Sequence, residues 1–210
     1  IQSIKRECDT DHGSIWIHRI EVIKEILGYG YDVIHSDADA VWLKDPLDFY
    51  FNDTSYDMAF SQGTFWPEDV HKEWGFVLCC GLFYIKSNKN TLEFIGDISE
   101  DVRASNDDQI SCNRYLLSKK IRWDLPEKTY FLEYQKIKFI CSHDLILGNN
   151  HSLKIALLPH SKFQRVKDDA GDIHVRHVMS EKNSDNIVES LIKNDCWFLS
   201  MQSDSGEVLL

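Results

Sequence analysis

The stretch Tyr31–Pro46 reads YDVIHSDADAVWLKDP and decides the predicted fold of this 210-residue chain. Its first part, with Val33 and Ile34, favours a β-strand that runs into the triplet Asp37-Ala38-Asp39. Because side chains alternate along an extended strand, the two carboxylates are predicted to point to the same side. Two carboxylates at the end of a buried strand are costly unless a positive charge lies between them, and hard divalent cations prefer oxygen ligands. The segment therefore predicts a site for a metal ion and a diphosphate.

The chain is strongly acidic. It has 23 Lys and Arg against 34 Asp and Glu, a formal net charge of -11 and an isoelectric point near 5.2. Nucleic acids and anionic membranes need a basic surface, so neither is an expected partner. An acidic protein also repels an anionic nucleotide diphosphate, and a bridging divalent cation would remove that repulsion locally. Acidity that serves solubility alone is the alternative.

Length and composition predict one globular domain over residues 1–210, with 43% hydrophobic residues to fill a core. No run approaches the roughly 18 apolar residues of a membrane span, and no signal peptide is recognisable. The compartment stays open: cytoplasm if the native protein is soluble, Golgi lumen if an N-terminal anchor was removed. The cysteines form no CxxC pair, so no zinc site is expected, and Cys79 and Cys80 are predicted to be small core residues rather than disulfide partners.

Helical and strand patterns alternate along the chain. The predicted helices are Ile15–Leu27, Thr91–Val102, Asp107–Leu117 and Asp185–Lys193. The predicted strands besides the aspartate strand are Tyr56–Ser61, Val77–Ile85, Ser152–Leu158 and Asp172–Val178. Gly28 and Gly30 should stop the first helix, and Asn106 should cap the third. The alternation predicts an α/β fold with a mostly parallel central sheet flanked by helices.

The segment His35–Pro46 resembles the DxD signature of nucleotide-diphospho-sugar transferases of the GT-A fold. It is most similar to the branch that includes plant and algal galactosyl-, xylosyl- and arabinosyltransferases and soluble virus-encoded relatives. Further similar segments follow the same order: a helix containing Arg19, then Cys80–Tyr84, Asn106–Gln109, Ala156–Pro159 with Phe163, and His177 followed by Trp197. The resemblance covers roughly residues 15–200 and implies a single-domain, Rossmann-like GT-A sandwich.

The chain departs from the family pattern at two places. The family usually has a first nucleotide-binding strand and helix well before the DxD motif, and here only Ile1–Ser14 stand there. Either Ile1–Lys5 is a shortened version, or the chain begins inside the fold. The family often has Asn two residues past its closing His, where this chain has Met179.

The resemblance implies a metal-dependent glycosyltransferase that moves a sugar from a nucleotide-diphosphate donor, expected to be a UDP-sugar, to a glycan or glycoprotein acceptor. Asp37, Asp39 and His177 would bind Mn2+ or Mg2+, and Asp37 would also hold the donor. Arg19 would reach a donor phosphate or the sugar, and His160 could touch the phosphates. Arg19 as a surface arginine and His160 as a satisfied core histidine are the alternatives.

Two histidines lie in the predicted strand Asp172–Val178. Alternation puts His177 and Val175 on one face and His174 and Arg176 on the other, so only one histidine can face the metal. The family-like spacing to Trp197 favours His177.

The candidate residues for the acceptor side are two acids and two tryptophans. Asp107 or Asp108 would take the acceptor proton in an inverting reaction, or stabilise the oxocarbenium-like centre in a retaining one. Asp107 could instead only complement the helix dipole. Trp66 and Trp74 flank a loop and are candidate acceptor-binding residues, because aromatic faces stack on sugar rings, although tryptophans also fill cores.

Two other functions fit parts of the sequence. Asp37–Val41 matches the DxDx[TV] motif of haloacid-dehalogenase-like phosphatases, in which Asp37 would form an aspartyl-phosphate, and Gly96–Asp101 imitates their GDxxxD metal motif. Against this, Gly96 lies in a predicted helix. The third possibility is a non-catalytic carbohydrate-binding relative that keeps the fold.

Overall fold

A computed structural model describes residues 12–52, 55–168, 171–179 and 184–198 of the chain. The helices are α1 (His12–Gly28), α2 (Leu47–Tyr50), α3 (Glu68–Trp74), α4 (Lys89–Ser105), α5 (Asp108–Ser118) and α6 (Ser184–Lys193). The strands are β1 (Val33–Ser36), β2 (Ala40–Trp42), β3 (Met58–Gln62), β4 (Leu78–Ile85), β5 (Arg122–Asp124), β6 (Thr129–Tyr134), β7 (Ile137–Ser142), β8 (Ile146–Asn149), β9 (Lys154–Leu157), β10 (Phe163–Gln164) and β11 (Val175–His177). Ile1–Lys5, the candidate shortened strand, lies outside the described residues.

The central sheet has six strands in the order β1-β4-β3-β9-β8-β5. Its pairs are antiparallel except β3 with β9, so the predicted mostly parallel sheet is wrong, although the α/β class is confirmed. The physical reason lies in the connections. The seven-residue α3 returns the chain from β3 to the neighbouring β4 instead of crossing the sheet, and a short turn joins β8 to β9. A second sheet has the order β10-β11-β2, and β6 and β7 form a hairpin.

The two central strands are buried on both faces. On β3, Met58 and Phe60 pack with α1 and α4 in one apolar cluster, whereas Ala59 between them belongs to a cluster on the opposite face. Alternate residues of β4 divide in the same way, with Phe83 in the first cluster and Leu82 in the second. A strand buried on both faces explains the continuous apolar run of β4.

The junction between α4 and α5 differs from its prediction. Asn106 is the C-cap of α4, with a left-handed φ of 52°, and it does not cap α5. The N-cap of α5 is Asp107, whose side chain accepts a hydrogen bond from the Ile110 backbone N–H. The start of α5 lies beside β4, where Gln109 Oε1 accepts a hydrogen bond from the Cys80 N–H.

The aspartate segment connects the two sheets. β1 pairs with β4 and ends at Ser36, after which the Asp37 N–H donates to the Gly81 carbonyl oxygen at 2.7 Å. A turn closed by the Ala40 N–H on the Asp37 carbonyl oxygen then leads into β2 of the second sheet. The predicted strand through both aspartates is therefore wrong. The carboxylates lie on the same side because of this turn, not because of strand alternation.

Several elements have no counterpart in the sequence prediction: α2, α3, β5, the β6–β7 hairpin, β8 and β10. The predicted strands at 56–61, 77–85, 152–158 and 172–178 and the predicted helices are confirmed within a few residues. Across the described residues, no helix combines the length and the apolarity that a membrane crossing requires.

Candidate functional site

A cavity of about 770 Å³ opens where the two sheets meet. Ligand pockets in proteins have volumes of about 300–1,000 Å³, so this cavity can hold a small-molecule ligand. Most of the predicted site residues line it: Arg19, Asp37, Asp39, Trp66, Asp107, Asp108 and His177. Residues from the first helix, the aspartate segment, the start of α5 and the second sheet thus converge on one space.

Asp37, Asp39 and His177 form a cluster on the wall of this cavity, and one ligand atom from each lies within 4.8 Å of the others. The His177 Nε2 atom is 3.1 Å from Asp39 Oδ1 and 3.9 Å from Asp37 Oδ2. The antiparallel pairing of β2 with β11 places Ala40 opposite His177 and so brings the imidazole beside Asp39. Two carboxylates and an imidazole are a donor set that suits Mn2+ or Mg2+.

The space between the clustered side chains depends on Gly81. A methyl group built on Gly81 would lie 2.2 Å from His177 Cε1 and 2.5 Å from Asp37 Oδ2. Both of these side chains occupy the space that any larger residue would need. The lack of a side chain at Gly81 therefore leaves the room that His177 and Asp37 need.

The charges within the cluster favour an ionised Asp39. Burial raises the pKa of Asp39, but the hydrogen bond with His177 and the nearby Arg165 lower it below its usual value. Burial and Arg165 lower the pKa of His177, but the neighbouring Cys79 and Asp39 outweigh them and raise it. A raised pKa favours the protonated imidazole, so a cation that binds here competes with a proton for His177.

Arg19 connects the aspartate motif to the start of α5. Its Nη1 donates to Asp37 Oδ1 at 2.9 Å and lies 3.0 Å from His35 Nε2, and its Nη2 donates to Asp108. His35 Nε2 is also 3.0 Å from Asp37 Oδ1. The guanidinium is mostly buried, so Arg19 is not the surface arginine that the alternative supposed.

Asp108 and Asp107 have different surroundings. Asp108 is 2% exposed, and burial raises its pKa against the opposing charge of Arg19. Asp107 lines the same cavity, but its Oδ1 accepts the hydrogen bond from the Ile110 N–H that caps α5. Burial therefore favours the protonated form of Asp108, whereas Arg19 favours its carboxylate.

The sequence analysis missed Arg165 as a site residue. Arg165 lines the cavity, and its Nη1 donates to the His177 carbonyl oxygen at 3.2 Å. Its charge also acts on Cys79, whose thiol is fully buried beside His177 Nδ1 at 3.8 Å. Burial raises the pKa of Cys79, but Arg165 and His177 overcome this and lower it to about 6. The local sequence carried no signal for Arg165, because the position of the second sheet brings it to the cavity.

Trp66 and Gln109 close the other side of the cavity. Trp66 is 48% exposed, and its carbonyl oxygen accepts a hydrogen bond of 2.8 Å from Gln109 Nε2. Gln109 Oε1 accepts from the Cys80 N–H, which ties the tryptophan loop to the central strand. Trp66 thus offers an accessible aromatic face beside the site.

Two predicted site residues do not line this cavity. His160 is fully buried, and its Nε2 accepts hydrogen bonds from the Arg165 and Val166 N–H groups, so it holds the loop after β9. Trp74 packs edge-on against Trp123 at a ring distance of 5.3 Å in the apolar core. The structure therefore favours His160 as a hydrogen-bonded core histidine and Trp74 as a tryptophan that packs against the core.

The phosphatase-like motif is also dispersed. Gly96–Asp101 lies in the middle of α4, and Asp97 accepts a hydrogen bond from the Tyr115 hydroxyl. None of Gly96–Asp101 lines the cavity that contains Asp37. The match to the phosphatase metal motif is therefore a coincidence of helical sequence.

Comparisons with known proteins found a family model and a curated relative that resemble this chain. The family model of nucleotide-diphospho-sugar transferases matches residues 8–203. Among curated proteins, a UDP-galactose:fucoside alpha-3-galactosyltransferase from Dictyostelium discoideum is 30% identical over 100 residues. That alignment covers 48% of this chain and 15% of the length of the relative. No solved structure shows a significant match.

Proposed function

We propose, from the premise that this chain belongs to the nucleotide-diphospho-sugar transferase family, that it moves a sugar from a UDP-sugar to a glycan or glycoprotein acceptor. The observation that carries the proposal is the Asp37–Asp39–His177 cluster on the wall of a cavity of about 770 Å³. The name of the Dictyostelium relative makes UDP-galactose the first donor to test.

Asp37, Asp39 and His177 would hold Mn2+ or Mg2+. The cation, when bound, supplies neutralisation of the charge that develops on the departing diphosphate. The close fit of three ligands around the space above Gly81 supports this assignment.

Two arginines flank the same space and would orient the donor. Arg19 shares its guanidinium between Asp37 and Asp108, so it could transfer a hydrogen bond to a donor oxygen when the cation takes over Asp37. Arg165 stands on the opposite side, beside His177. Guanidinium groups match the geometry of phosphate oxygens.

Asp108 is the carboxylate that we assign to the reacting centre. Its buried position next to Arg19 suits a group that takes the acceptor proton or stabilises the oxocarbenium-like centre. Trp66, exposed at the cavity edge, would stack on the acceptor sugar. Asp107 remains as the helix cap.

A donor screen tests the proposed function. The chain is incubated with Mn2+ and a panel of nucleotide sugars, and release of the nucleotide is measured with and without acceptor glycans. Release from one UDP-sugar supports the transferase. Phosphate release from simple phosphomonoesters would favour a phosphatase, and carbohydrate binding without turnover would favour the non-catalytic relative.

Removal of the metal should weaken donor binding. Protein and donor are both anionic, with a formal net charge of -11 on the chain, so UDP-sugar affinity in EDTA should fall by about tenfold or more and recover with Mn2+. Isothermal titration calorimetry at constant ionic strength measures this. Equal affinities with and without Mn2+ would contradict a bridging cation.

Substitutions at His177 on β11 and at His174 just before it test whether His177 is the third metal ligand. His177→Ala should raise the Mn2+ concentration for half-maximal activity by about tenfold or more, because it removes the imidazole from the cluster. His174→Ala is the matched control, since this buried histidine packs against the rings of Tyr50 and Phe163 instead. A higher Mn2+ requirement in His174→Ala but not in His177→Ala would refute the ligand assignment.

A further inference from the structure

A second, smaller cavity of about 140 Å³ lies next to the first. The two cavities share Arg165, Val178 and Met179 on their walls. Lys167 and Arg176 also line the small cavity, so three cationic side chains surround it. No acidic residue is among the described residues on its wall. In a chain with 34 acidic and 23 basic residues, such a wall is a strong local reversal of charge.

Arg176 is the most informative of the three cations. It is only 9% exposed, and its Nη atoms donate to neutral acceptors, the Asn194 carbonyl oxygen at 3.0 Å and Gln164 Oε1 at 2.9 Å. Its Nε atom is buried and has no hydrogen-bond partner among the described residues. A buried guanidinium normally pairs with an anion, because burial of an uncompensated charge is costly.

Within the part of the chain that the structure describes, the nearby carboxylates Asp168 and Asp195 do not supply that anion. Asp168 accepts hydrogen bonds from Gln164 Nε2 and from the Tyr130 hydroxyl, and it is absent from the wall of the cavity. Asp195 is exposed and also absent from that wall. The Arg165 Nε atom is also buried, and no described residue accepts a hydrogen bond from it. Two guanidinium groups thus present free N–H groups at the border of the same small space.

We propose that this small cavity binds an oxyanion, a sulfate, phosphate or carboxylate group, that the acceptor glycan carries. Guanidinium groups bind such oxyanions through paired N–H donors. The volume leaves room for one oxyanion and its waters, since a water occupies about 30 Å³. The assignment to the acceptor rests on the proposed glycosyl transfer, whereas oxyanion binding itself does not.

Arg165 borders both cavities, but Arg176 lies on the side of β11 away from the donor diphosphate. Arg176 and His177 are consecutive on β11, so their side chains lie on opposite faces of the strand. The diphosphate belongs on the His177 face, with the metal ligands. A group in the small cavity therefore reaches the site from the side of Val178 and Met179, as an acceptor bound beside the donor would.

The first experiment measures sulfate binding to the full chain in EDTA by calorimetry, with ionic strength held constant by NaCl. The wild-type chain should bind one sulfate, and Arg176→Gln should weaken binding by about tenfold. Lys167→Gln, at an exposed position, should weaken it about threefold and keeps the test valid if Arg176→Gln fails to fold. Arg114→Gln is the control, because this arginine pairs with Asp69 on the surface. Equal sulfate affinity in all variants, or displacement of sulfate by UDP, would overturn the site.

The second experiment assigns the source of the oxyanion. With Mn2+ and the active donor, methyl galactoside and methyl glucoside are compared with their 6-sulfates. The sulfated acceptors should have kcat/KM about tenfold higher, and Lys167→Gln should reduce that preference about threefold while Arg114→Gln preserves it. No preference, or a dependence on Lys167 seen only with UDP-glucuronate as donor, would overturn the acceptor assignment. Sulfate binding that depends on Arg176 in a chain without any transfer activity would refute the proposed function and the acceptor assignment but leave the oxyanion site standing.

Discussion

Replacing Asp39 with asparagine is expected to lower Mn2+-dependent turnover by about 10²-fold or more without unfolding the chain. The Asp39 carboxylate is partly buried, 3.1 Å from His177, and its pKa is lowered despite burial because His177 and Arg165 favour the ionised form. Asparagine keeps the shape of the side chain and removes its charge. The effect should therefore fall on metal affinity and turnover, with little change in thermal stability.

The control for this variant is Asp48→Asn. It removes the same charge at an exposed position in α2, where the Asp48 carboxylate accepts a hydrogen bond from Asn52 Nδ2. Turnover against Mn2+ concentration and thermal unfolding are measured for both variants. Wild-type turnover in Asp39→Asn would show that Asp39 is not a metal ligand, and an equal loss in Asp48→Asn would point to a general effect of charge.

The parts of the fold that local pattern determines were predictable from sequence. The amphipathic helix that carries Arg19 and the apolar run of β4 were recognisable from spacing and composition alone. The direction of strand pairing was not, because it depends on how each connection crosses the sheet. The short α3 was not predicted, and it returns the chain from β3 to the adjacent antiparallel position.

The candidate site divides in a similar way. Asp37, Asp39 and His177 were predicted to meet, and the structure brings them together in one cluster. Arg165 could not be predicted from its own neighbours, since it reaches the cavity through the position of the second sheet beside the first. His160 was misassigned because a histidine after a strand and a proline has the same local sequence whether it faces a ligand or anchors a loop. The predicted single domain over residues 1–210 stays a prediction.

Replacing Gly81 with alanine should displace the metal ligands His177 and Asp37 and so weaken metal binding. The added methyl group would lie 2.2 Å from His177 Cε1 and 2.5 Å from Asp37 Oδ2, so both ligands must move. His177 is 4% exposed and has little room to turn away. We expect Mn2+-dependent turnover to fall by about 10²-fold and the free energy of unfolding to fall by about 1–3 kcal/mol, the usual cost of overpacking.

The matched control is Gly96→Ala in α4, where an added methyl group meets nothing within 4 Å. Because alanine favours helices more than glycine does, this variant should gain about 0.5–1 kcal/mol of stability and keep full activity.

A double variant separates crowding from other causes. If the methyl group acts through the imidazole, Gly81→Ala should cost less stability when His177 is already alanine than in the wild-type chain. Chemical denaturation measures the stability of the wild-type chain, Gly96→Ala, Gly81→Ala, His177→Ala and the double variant. Turnover against Mn2+ concentration is measured well below their melting temperatures. Additive stability losses, or wild-type Mn2+ dependence in Gly81→Ala, would mean that Gly81 does not support the metal ligands.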